Sequence, residues 1–562
     1  MLLFKNKIFL LLAAMALLMG SCASDDDTPG PDPGPGTGGD ISDQVSQYEA
    51  RAFDGVKRAG VFYEIYVRSF ADSDGNGIGD LKGVTAKLDY LDDLGVGGIW
   101  LMPVYKCNSE HGYDVIDYMT VNPDYGTNAD LEELITQAHR RNIRVILDFV
   151  PNHMSDRSTW FTEACKSVDN SHRGFFHFET AEKASSWLGW YPVKSGTTSY
   201  YYQGAFDRSM PDLNYGPAAT CQASATFRAV TDAAKFWIDK GVDGFRLDAV
   251  KHVYDSETSD ENPTFLKKFY DNVNSYFQGK SVLGDPNVYM VGECWMGTEQ
   301  MAPYYRGIPA LFDFTAWADR LLYAIQHSHA KWFPKDMIEE REIFARYRAD
   351  FIQATKLSNH DEVRARTSLG GTLAESLERA KMAAAVLLTS VGSPYIYYGE
   401  EIGMIGDKTQ SGGDRNVREP MLWAPKAEDS FRTSWIPSAN SYDINVGNVA
   451  TQAKDVRSLY NVYRKFLRLR NTYPALATGT ISLPENFDDT KSDNKQVMAF
   501  YRTEGSEKLL VLHNVSPAQS TYTINHAIDR PVADMNKVTV TTKSPTEHVV
   551  TMPAYSSIII QL

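Results

Sequence analysis

The sequence predicts an α/β fold: a (β/α)8 TIM barrel, a subdomain inserted between strand 3 and helix 3, and an all-β sandwich domain at the C-terminus. Two patterns predict it. From about residue 60, β-like runs alternate with amphipathic helical stretches, and after residue 472 only short alternating strands follow. Eight such alternating units favour a closed barrel over an open sheet. The chain has 562 residues and is 43% hydrophobic, which is enough for several packed domains.

The eight predicted barrel strands are short runs rich in β-branched and aromatic residues. They lie at residues 61–67, 98–102, 143–148, 242–247, 288–291, 310–314, 352–357 and 394–398. Helical periodicity occurs between them, for example at 84–94, 131–141, 226–240 and 374–388. We therefore expect the barrel to span residues 46–152 and 226–471.

Two departures from the alternating pattern predict the other domains. Residues 153–225 are too many for a plain strand-to-helix loop and are rich in Trp, Tyr, Ser and Gly, which predicts an inserted subdomain over the barrel rim. Residues 472–562 predict a C-terminal β domain, with strands at 508–512, 537–541 and 557–561.

The N-terminus has the features of an export signal. Lys5 and Lys7 precede an apolar run at 8–19 that is shorter than the ~20 residues needed to span a bilayer. Cys22 follows at once, so residues 1–21 resemble a bacterial lipoprotein signal peptide and Cys22 the lipidated residue. An ordinary cleaved signal with an incidental cysteine is the alternative. Residues 22–45 contain an acidic run and a Pro/Gly tract, which predicts a flexible tether.

Composition limits the partners. The net charge of −15 argues against a nucleic-acid partner. The acidic run at 24–27 resembles surface-export signals of gut Bacteroidetes lipoproteins, so we expect an outer-membrane lipoprotein exposed at the cell surface and held by a membrane anchor on Cys22. A solvated linker is the alternative.

Cys107, Cys165, Cys221 and Cys294 match no zinc pattern, and a disulfide between Cys165 and Cys221 is left open.

Three acidic residues end predicted strands: Asp248, Glu293 and Asp361. The strand C-termini of a parallel barrel meet at one rim, so acids far apart in sequence can converge there. Crowded carboxylates are costly to keep ionised together, and glycoside hydrolysis uses such crowding. Any one of them alone would more often be a helix cap or an ion-pair member.

Four segments follow strands three, four, five and seven: DFVPNH at 148–153, GFRLDAVKH at 244–252, VGECW at 291–295 and LSNHD at 357–361. In this order they resemble the signature segments of the α-amylase family, glycoside hydrolase family 13. The resemblance extends from about residue 60 to the C-terminus. One segment alone is weak, whereas the four together are specific.

The resemblance implies that Asp248 is the nucleophile, that Glu293 is the acid and then the base, and that Asp361 supports the transition state. Arg246 lies two residues before the nucleophile, on the same side of the strand, where it can keep Asp248 ionised. The other implied substrate-binding residues are Tyr113, which would stack on the sugar, His153 and His360, which would donate to its hydroxyls, the Lys251–His252 pair, and Arg418.

The loop from Asp72 to Asp80 alternates oxygen-bearing residues with glycines, a pattern that can wrap a hard cation. It is similar to the calcium loop of oligo-1,6-glucosidase-like family members. The resemblance implies a structural calcium held by Asp72, Asp74, Asn76, Asp80 and the Ile78 carbonyl. A polar turn without metal is the alternative.

The remaining motifs concern which bond is cut. MPDLN at 210–214 resembles a segment of the intermediate group between oligo-1,6-glucosidases and neopullulanases, which includes surface starch-degrading lipoproteins of gut Bacteroidetes. The Lys251–His252 pair is typical of α-1,4-acting members. DRNVREPMLW at 414–423 resembles exo-acting glucosidases, in which the arginine matched by Arg418 binds the terminal glucose. Those enzymes have Asp where Glu110 stands here, so we expect retaining, endo-acting hydrolysis of starch, maltooligosaccharides and pullulan.

Two rival interpretations stay open. An exo-acting α-glucosidase, an oligo-1,6-glucosidase or a transglycosylase of the trehalose-synthase type would use the same machinery. A non-catalytic glycan-binding lipoprotein is less favoured, because inactive family members typically lack catalytic carboxylates and this chain has all three. Besides the α-glucan substrate and the membrane, surface glycan-binding and transport proteins are the expected partners.

Overall fold

The computed structural model describes residues 60–491 and 494–562, apart from the side chains of residues 315 and 316. The predicted signal peptide (1–21), the tether (22–45) and Cys22 lie outside the described residues. The domain boundaries given above remain predictions.

Eight parallel strands close into a barrel, which confirms the predicted fold class. Each strand pairs with its neighbour in sequence order, and the first pairs with the eighth. Strands β1 to β8 are Phe62–Ile65, Gly98–Leu101, Arg144–Phe149, Gly244–Leu247, Tyr289–Gly292, Ala310–Phe312, Ile352–Lys356 and Ser393–Tyr397. All six residues of β3 are buried, as expected for a parallel strand that is covered on both faces.

Helices connect and cover the strands. The longer ones are Asn128–His139, Ala225–Asp239, Glu261–Phe277, Phe333–Ala345, Leu373–Thr389 and Leu459–Thr472. Shorter ones include Leu81–Ala86, Leu88–Leu94, Asp319–Gln326, Ala365–Leu369 and Pro474–Ala477. The single helix predicted at 84–94 is two helices, because Lys87 leaves helical backbone geometry at φ −104° and ψ 6°.

Two apolar cores lie on opposite sides of the barrel wall. The inner core contains Phe62, Trp100, Ile146, Tyr289, Val291, Ala310, Phe312, Phe314, Ile352, Ala354 and Tyr395. Neighbouring strand residues such as Tyr63 and Leu147 belong instead to the outer core that the helices share. This alternation follows from the two-residue period of a β-strand, and it decides which strand-end residues face the barrel mouth.

Two segments bring loops to the rim. A hairpin of Tyr105–Lys106 and Asp117–Val121 follows β2 and carries the turn that contains Tyr113. Between β3 and helix Ala225–Asp239 lie helix Thr159–Lys166 and a sheet of Phe178–Thr180, Trp190–Pro192 and Tyr200–Gln203. A β-bridge between His153 and Asp212 returns the end of this insert beside its start. Cys165 and Cys221, whose pairing was open, are free thiols, as are Cys107 and Cys294.

The C-terminal domain is all β, as predicted. Its five-stranded sheet contains β9 (Thr480–Ser482), β10 (Val497–Glu504), β11 (Glu507–Asn514), β13 (Arg530–Met535) and β16 (Ser556–Gln561). Its three-stranded sheet contains β12 (Ser520–Ile524), β14 (Thr539–Ser544) and β15 (Glu547–Met552). The strand predicted at 537–541 starts later, because Asn536 and Lys537 form a turn with φ of 66° and 57°.

Candidate active site

Inward-facing strand positions place acidic side chains at the barrel mouth. In three strands the residue two places before the acid already faces the barrel interior, so the acid faces it too. The pairs are Ile146 with Asp148, Arg246 with Asp248, and Val291 with Glu293. Glu64 follows Phe62 in β1 in the same way. The two-residue period thus brings four carboxylates from four strands to one place.

Arg246 lies at the centre of these acids and is fully buried. Its Nη1 is 2.7 Å from Asp248 and 3.0 Å from Asp148, and its Nη2 is 2.8 Å from Glu293. One guanidinium therefore holds the predicted nucleophile and the predicted acid with its two amino groups. Bidentate positioning of this kind requires the planar fork of arginine.

The carboxylates around Arg246 outnumber its single positive charge. Burial raises the pKa of Asp248 well above its usual range. Arg246 opposes this shift, and Glu293 and Asp148 add to it. Burial likewise raises the pKa of Asp148 to about 6, against the attraction of Arg246. Asp248 and Asp148, which share Arg246 and repel each other, therefore titrate together and not as isolated carboxyl groups.

Ala249 fixes the position of Glu293 through strained backbone. It follows Asp248 directly and has a φ of 47°, which is uncommon for a residue with a side chain. Its N–H donates to Glu293 Oε2 at 3.1 Å. Strained backbone of this kind clusters at functional sites, where the surrounding structure enforces it.

Asp361 has a different environment. Its carboxylate is 2.7 Å from Arg418 Nη2 and 3.0 Å from His360 Nε2. Burial disfavours its charge, but His360 and Arg418 hold the pKa of Asp361 far below its usual range. Burial also opposes charge on His360, yet Asp361 and Glu64 raise its pKa to about 9. Asp361 therefore stays ionised and His360 protonated at neutral pH.

A cavity of about 630 Å³ opens over these residues, a size suited to a small ligand. It is lined by eight of the ten predicted catalytic and substrate-binding residues: Tyr113, His153, Asp248, Lys251, His252, Glu293, Asp361 and Arg418. The other two, Arg246 and His360, lie beneath it. His360 was expected to donate to a sugar hydroxyl, but its Nδ1 contacts Glu64 and its Nε2 contacts Tyr113 and Asp361.

His153 presents a free ring nitrogen to the cavity. Its Nδ1 contacts Asn152 Oδ1 at 2.9 Å, and its buried Nε2 has no hydrogen-bond partner among the described residues. Burial lowers the pKa of His153 to about 4, so the ring is neutral. Because its Nδ1–H donates to the Asn152 amide oxygen, the neutral ring presents Nε2 as an acceptor for a hydroxyl group, not as the donor that the resemblance implied.

Several residues of the site were not among the predicted catalytic and substrate-binding residues. Glu64 supports His360, and Asp148 supports Arg246; Trp295 and Phe206 line the cavity. Trp295 is 41% exposed and stacks on Phe314 at 4.6 Å and 13°. Asp148 and Trp295 occur in the signature segments, and their inward strand register could have identified them. Glu64 also has inward register, but Phe206 comes from the insert, where the sequence gives no periodic signal.

Two ion pairs lie at the edges of the site. Lys251 Nζ is 3.0 Å from Glu257, and His252 Nδ1 is 3.6 Å from the same carboxylate. Glu110 and Arg415 form a two-pronged pair with contacts of 2.8 and 2.6 Å. This second pair joins the loop after β2 to the loop after β8.

The predicted cation loop gathers three carboxylates. Oxygens of Asp72, Asp74 and Asp80 lie within 4.8 Å of one another. Gly75 and Gly77 have φ of 78° and 93°, which lets the backbone turn around this group. Inside the loop, the Ile78 N–H donates to Asn76 Oδ1 at 2.7 Å. The donor set is all oxygen, as hard cations require.

A (β/α)8 barrel with paired carboxylates at the carboxyl rim is an arrangement that glycoside hydrolases use. Residues 64–479 match the family model "Alpha amylase, catalytic domain", and residues 497–559 match "Alpha-amylase SusG C-terminal domain". The chain therefore belongs to the α-amylase family of glycoside hydrolases, as the signature segments indicated.

Several relatives are similar over most of the chain. "Alpha-amylase SusG" of Bacteroides thetaiotaomicron is 35% identical over an alignment of 704 positions. The alignment covers 99% of this chain and 99% of the relative. "Alpha-amylase 3" of Dictyoglomus thermophilum is 38% identical, covering 83% of this chain and 87% of the relative. "Oligo-1,6-glucosidase" of Parageobacillus thermoglucosidasius is 30% identical, with 81% and 90% covered.

Solved structures have the same fold. The α-amylase from H. orenii has a TM-score of 0.76 and 34% identity, covering 90% of this chain and 99% of that one. Eubacterium rectale Amy13B has a TM-score of 0.79 and 29% identity, covering 92% and 98%. Among the described residues, we find no helix with the length and apolarity needed to cross a membrane.

Proposed function

We propose that the protein is a retaining, endo-acting hydrolase of α-1,4-glucosidic bonds in starch, maltooligosaccharides and pullulan. One observation carries the proposal: Arg246 holds Asp248 and Glu293 together at the wall of a cavity that admits a sugar. Two relatives that are similar over most of the chain are named α-amylases, which supports the choice of substrate.

The reaction proceeds in two displacements. In the first, Asp248 attacks the anomeric carbon while Glu293 gives its proton to the departing glycosidic oxygen, so one C–O bond forms as another breaks. In the second, Glu293 takes a proton from water, and the water oxygen displaces Asp248 from the same carbon. Two inversions leave the product with the α-configuration of the substrate.

The position of Arg246 suits this sequence. Its guanidinium contacts Asp248 and opposes the rise in the pKa of that carboxyl, which favours the ionised form needed for attack. Asp361, held ionised by Arg418 and His360, would stabilise the positive charge that develops on the sugar ring. His153 Nε2 would accept a hydrogen bond from a hydroxyl of the same sugar.

The proposal is tested by measuring the anomeric configuration of the products of starch cleavage and the activity of variants in the site. Early-time proton NMR should show the α-anomer of the new reducing end, and an initial β-anomer would overturn the retaining mechanism. Glu293→Gln should lower kcat about 10²- to 10⁴-fold, the usual contribution of a general acid. Asp232→Asn, on an exposed carboxylate whose side chain is 65% accessible, is the matched control and should retain full activity.

One observation favours a second candidate, an exo-acting α-glucosidase. The Glu110–Arg415 pair links two rim loops where exo-acting relatives have an Asp, and it could close one end of the cleft. An endo-acting enzyme should lose iodine staining of amylose early, before much reducing sugar appears. The exo candidate would be established instead if the parent enzyme trims amylose slowly to glucose and the Glu110→Ala variant cleaves it internally.

We also propose a structural calcium ion in the loop from Asp72 to Asp80. Asp72, Asp74 and Asp80 would hold it, with Asn76 and the Ile78 carbonyl as further expected ligands. At a free calcium concentration 100 times the Kd, the bound ion stabilises the fold by about 2.7 kcal/mol. Chelation should therefore lower Tm, and Asp74→Asn should reduce the response. An unchanged Tm under chelation would contradict the site.

Finally, we propose that the protein is an outer-membrane lipoprotein exposed at the cell surface, anchored through Cys22. The sequence features given above support this. Cys22→Ser should move the enzyme from the membrane fraction to the soluble fraction and abolish incorporation of labelled fatty acid. Equal labelling of the variant would contradict the anchor.

A further inference from the structure

A second cavity, of about 540 Å³, lies in the C-terminal domain. Its lining comes from both sheets: Tyr501 of β10 and Leu510 of β11 on one side, and Tyr522 and Ile524 of β12 on the other. Leu510 and Ile524 are buried members of the sandwich core and supply an apolar floor. The cavity therefore opens directly onto the core between the sheets.

The polar groups around this floor are held in place by one another. The Tyr501 hydroxyl donates to Glu485 at 2.5 Å and contacts His526 Nε2 at 2.9 Å. The Tyr522 hydroxyl donates to Asn486 Oδ1 at 2.8 Å, and Asn486 Nδ2 donates to the Thr523 carbonyl at 3.1 Å. These side chains are thus oriented before any ligand arrives, which lowers the cost of binding.

The charges at the rim cancel. Lys508 Nζ lies 3.7 Å from Glu485 and 3.9 Å from the centre of the Tyr501 ring. One acidic and one basic side chain give no net attraction for an anion or a cation. Hydroxyl, amide and imidazole groups above an apolar floor suit instead an uncharged ligand with an apolar face and many hydroxyls.

We propose that this cavity is a second carbohydrate-binding site, which takes a short stretch of an α-glucan chain and holds the enzyme on polymeric substrate. The apolar C–H face of a glucose unit would lie toward Leu510 and Ile524, and its hydroxyls would meet Asn486, Tyr522 and His526. The choice of an α-glucan rests on the proposed function, whereas the choice of a neutral sugar rests on the cavity itself.

The lining also separates this site from a second catalytic centre. Among the described residues around the cavity, Glu485 is the one acidic side chain, so the carboxylate pair needed for glycoside hydrolysis is missing. Glu485 and Asn486 lie between the two segments that match family models, 64–479 and 497–559. Two of the five side chains in the polar network thus come from a part of the chain that neither family model matches.

The test is retardation of the protein in native gels that contain amylopectin. All proteins carry Asp248→Asn, so that the polysaccharide is not digested and the cleft is the same throughout. The double variant Asn486→Ala/Tyr522→Ala should bind amylopectin about three- to tenfold more weakly, in line with the loss of one aromatic contact and its hydrogen bond. Asn525→Ala, at an exposed residue of the rim, should weaken binding about twofold without risk to the fold.

Tyr323→Ala is the matched control, because this tyrosine is 57% exposed on helix Asp319–Gln326 and lies outside the cavity. Unchanged retardation in both cavity variants, or a loss equal to that of Tyr323→Ala, would overturn the proposal. Gels with hydroxyethylcellulose should show no cavity-dependent retardation, and equal dependence there would overturn the choice of an α-glucan.

Kinetics separate this proposal from the proposed function. With the catalytic residues intact, the cavity substitutions should leave kcat/KM for a p-nitrophenyl maltotrioside unchanged and slow the digestion of starch granules. An enzyme that does not cleave α-1,4 bonds, yet binds amylopectin through the cavity, would refute the proposed function and uphold the second site. An enzyme that cleaves starch, but whose starch binding and granule digestion do not change in the cavity variants, would uphold the proposed function and refute the second site.

Discussion

Two regions of the molecule bury arginine side chains in opposite ways. At the barrel mouth, Arg246 contacts three carboxylates. At the junction with the C-terminal domain, Arg470 donates to the carbonyls of Leu388, Ser390, Gly392 and Ala477. Arg502, from β10, donates to the carbonyls of Thr389 and Gly479.

The difference lies in what balances the positive charge. Burial disfavours the charge on Arg246, but the surrounding carboxylates raise its pKa well above the ordinary value. Carbonyl dipoles offset burial less well, so burial lowers the pKa of Arg470 to about 9. The mouth is thus a cluster of coupled charges, and the junction is a set of hydrogen bonds that ties helix ends to a strand. We expect the first to control chemistry as well as stability, and the second to control stability alone.

The largest effect should come from Arg246→Met. Removing the cation leaves buried carboxylates without a partner, a cost of about 3–5 kcal/mol, and Asp248 would then take up a proton. We expect kcat to fall about 10³-fold or more on soluble starch. Arg457→Met, at an exposed arginine, is the control. If kcat falls less than tenfold in protein that circular dichroism shows to be correctly folded, the barrel mouth does not control the chemistry in the way proposed.

Arg502→Met should instead lower stability. It leaves the carbonyls of Thr389 and Gly479 unpaired in a buried place, which costs about 2–3 kcal/mol. Urea unfolding should register this loss, while kcat per folded molecule stays within twofold of the parent value. A large drop in kcat at full stability would show that the junction also acts on the site.

The pH dependence of stability sharpens the comparison at His360. Because its folded pKa is about 9 and its ordinary value 6.5, the protonated form favours the folded state. This contribution is complete below about pH 6.5 and is lost as the pH rises through 9. The free energy of unfolding should therefore decline more steeply over this range in the parent than in His360→Asn. Parallel curves would mean that His360 carries no such charge.

The smallest effect is expected at the exposed edge of the same rim. Lys251 and Glu257 form a partly exposed pair, and such pairs contribute about 0–1 kcal/mol. Lys251→Met should raise KM a few-fold with little change in kcat, because the lysine would contact the leaving sugar and not the reacting atoms. Lys267→Met, at a lysine 60% exposed, should change neither constant.

Much of the barrel could be predicted because local patterns specify it. Short apolar runs marked all eight strands, and strand-end acids marked Asp248 and Glu293. Other features depend on contacts between distant segments. The stacking of Trp295 on Phe314 joins the ends of two neighbouring strands, and the Glu110–Arg415 pair joins loops 305 residues apart in sequence. The break at Lys87 was missed because the apolar periodicity continues across it.

The sequence by itself determined the fold class and the family and indicated the candidate acids, because strand periodicity and motif order are local properties of the chain. Only the tertiary structure decided how charge is shared: that one guanidinium serves Asp248 and Glu293, that His360 lies beneath the cavity between Glu64 and Asp361, and that the C-terminal sheets enclose a second cavity. The physical reason is that protonation and cavity shape depend on the distances between groups that folding brings together, and such distances are not encoded at any single position.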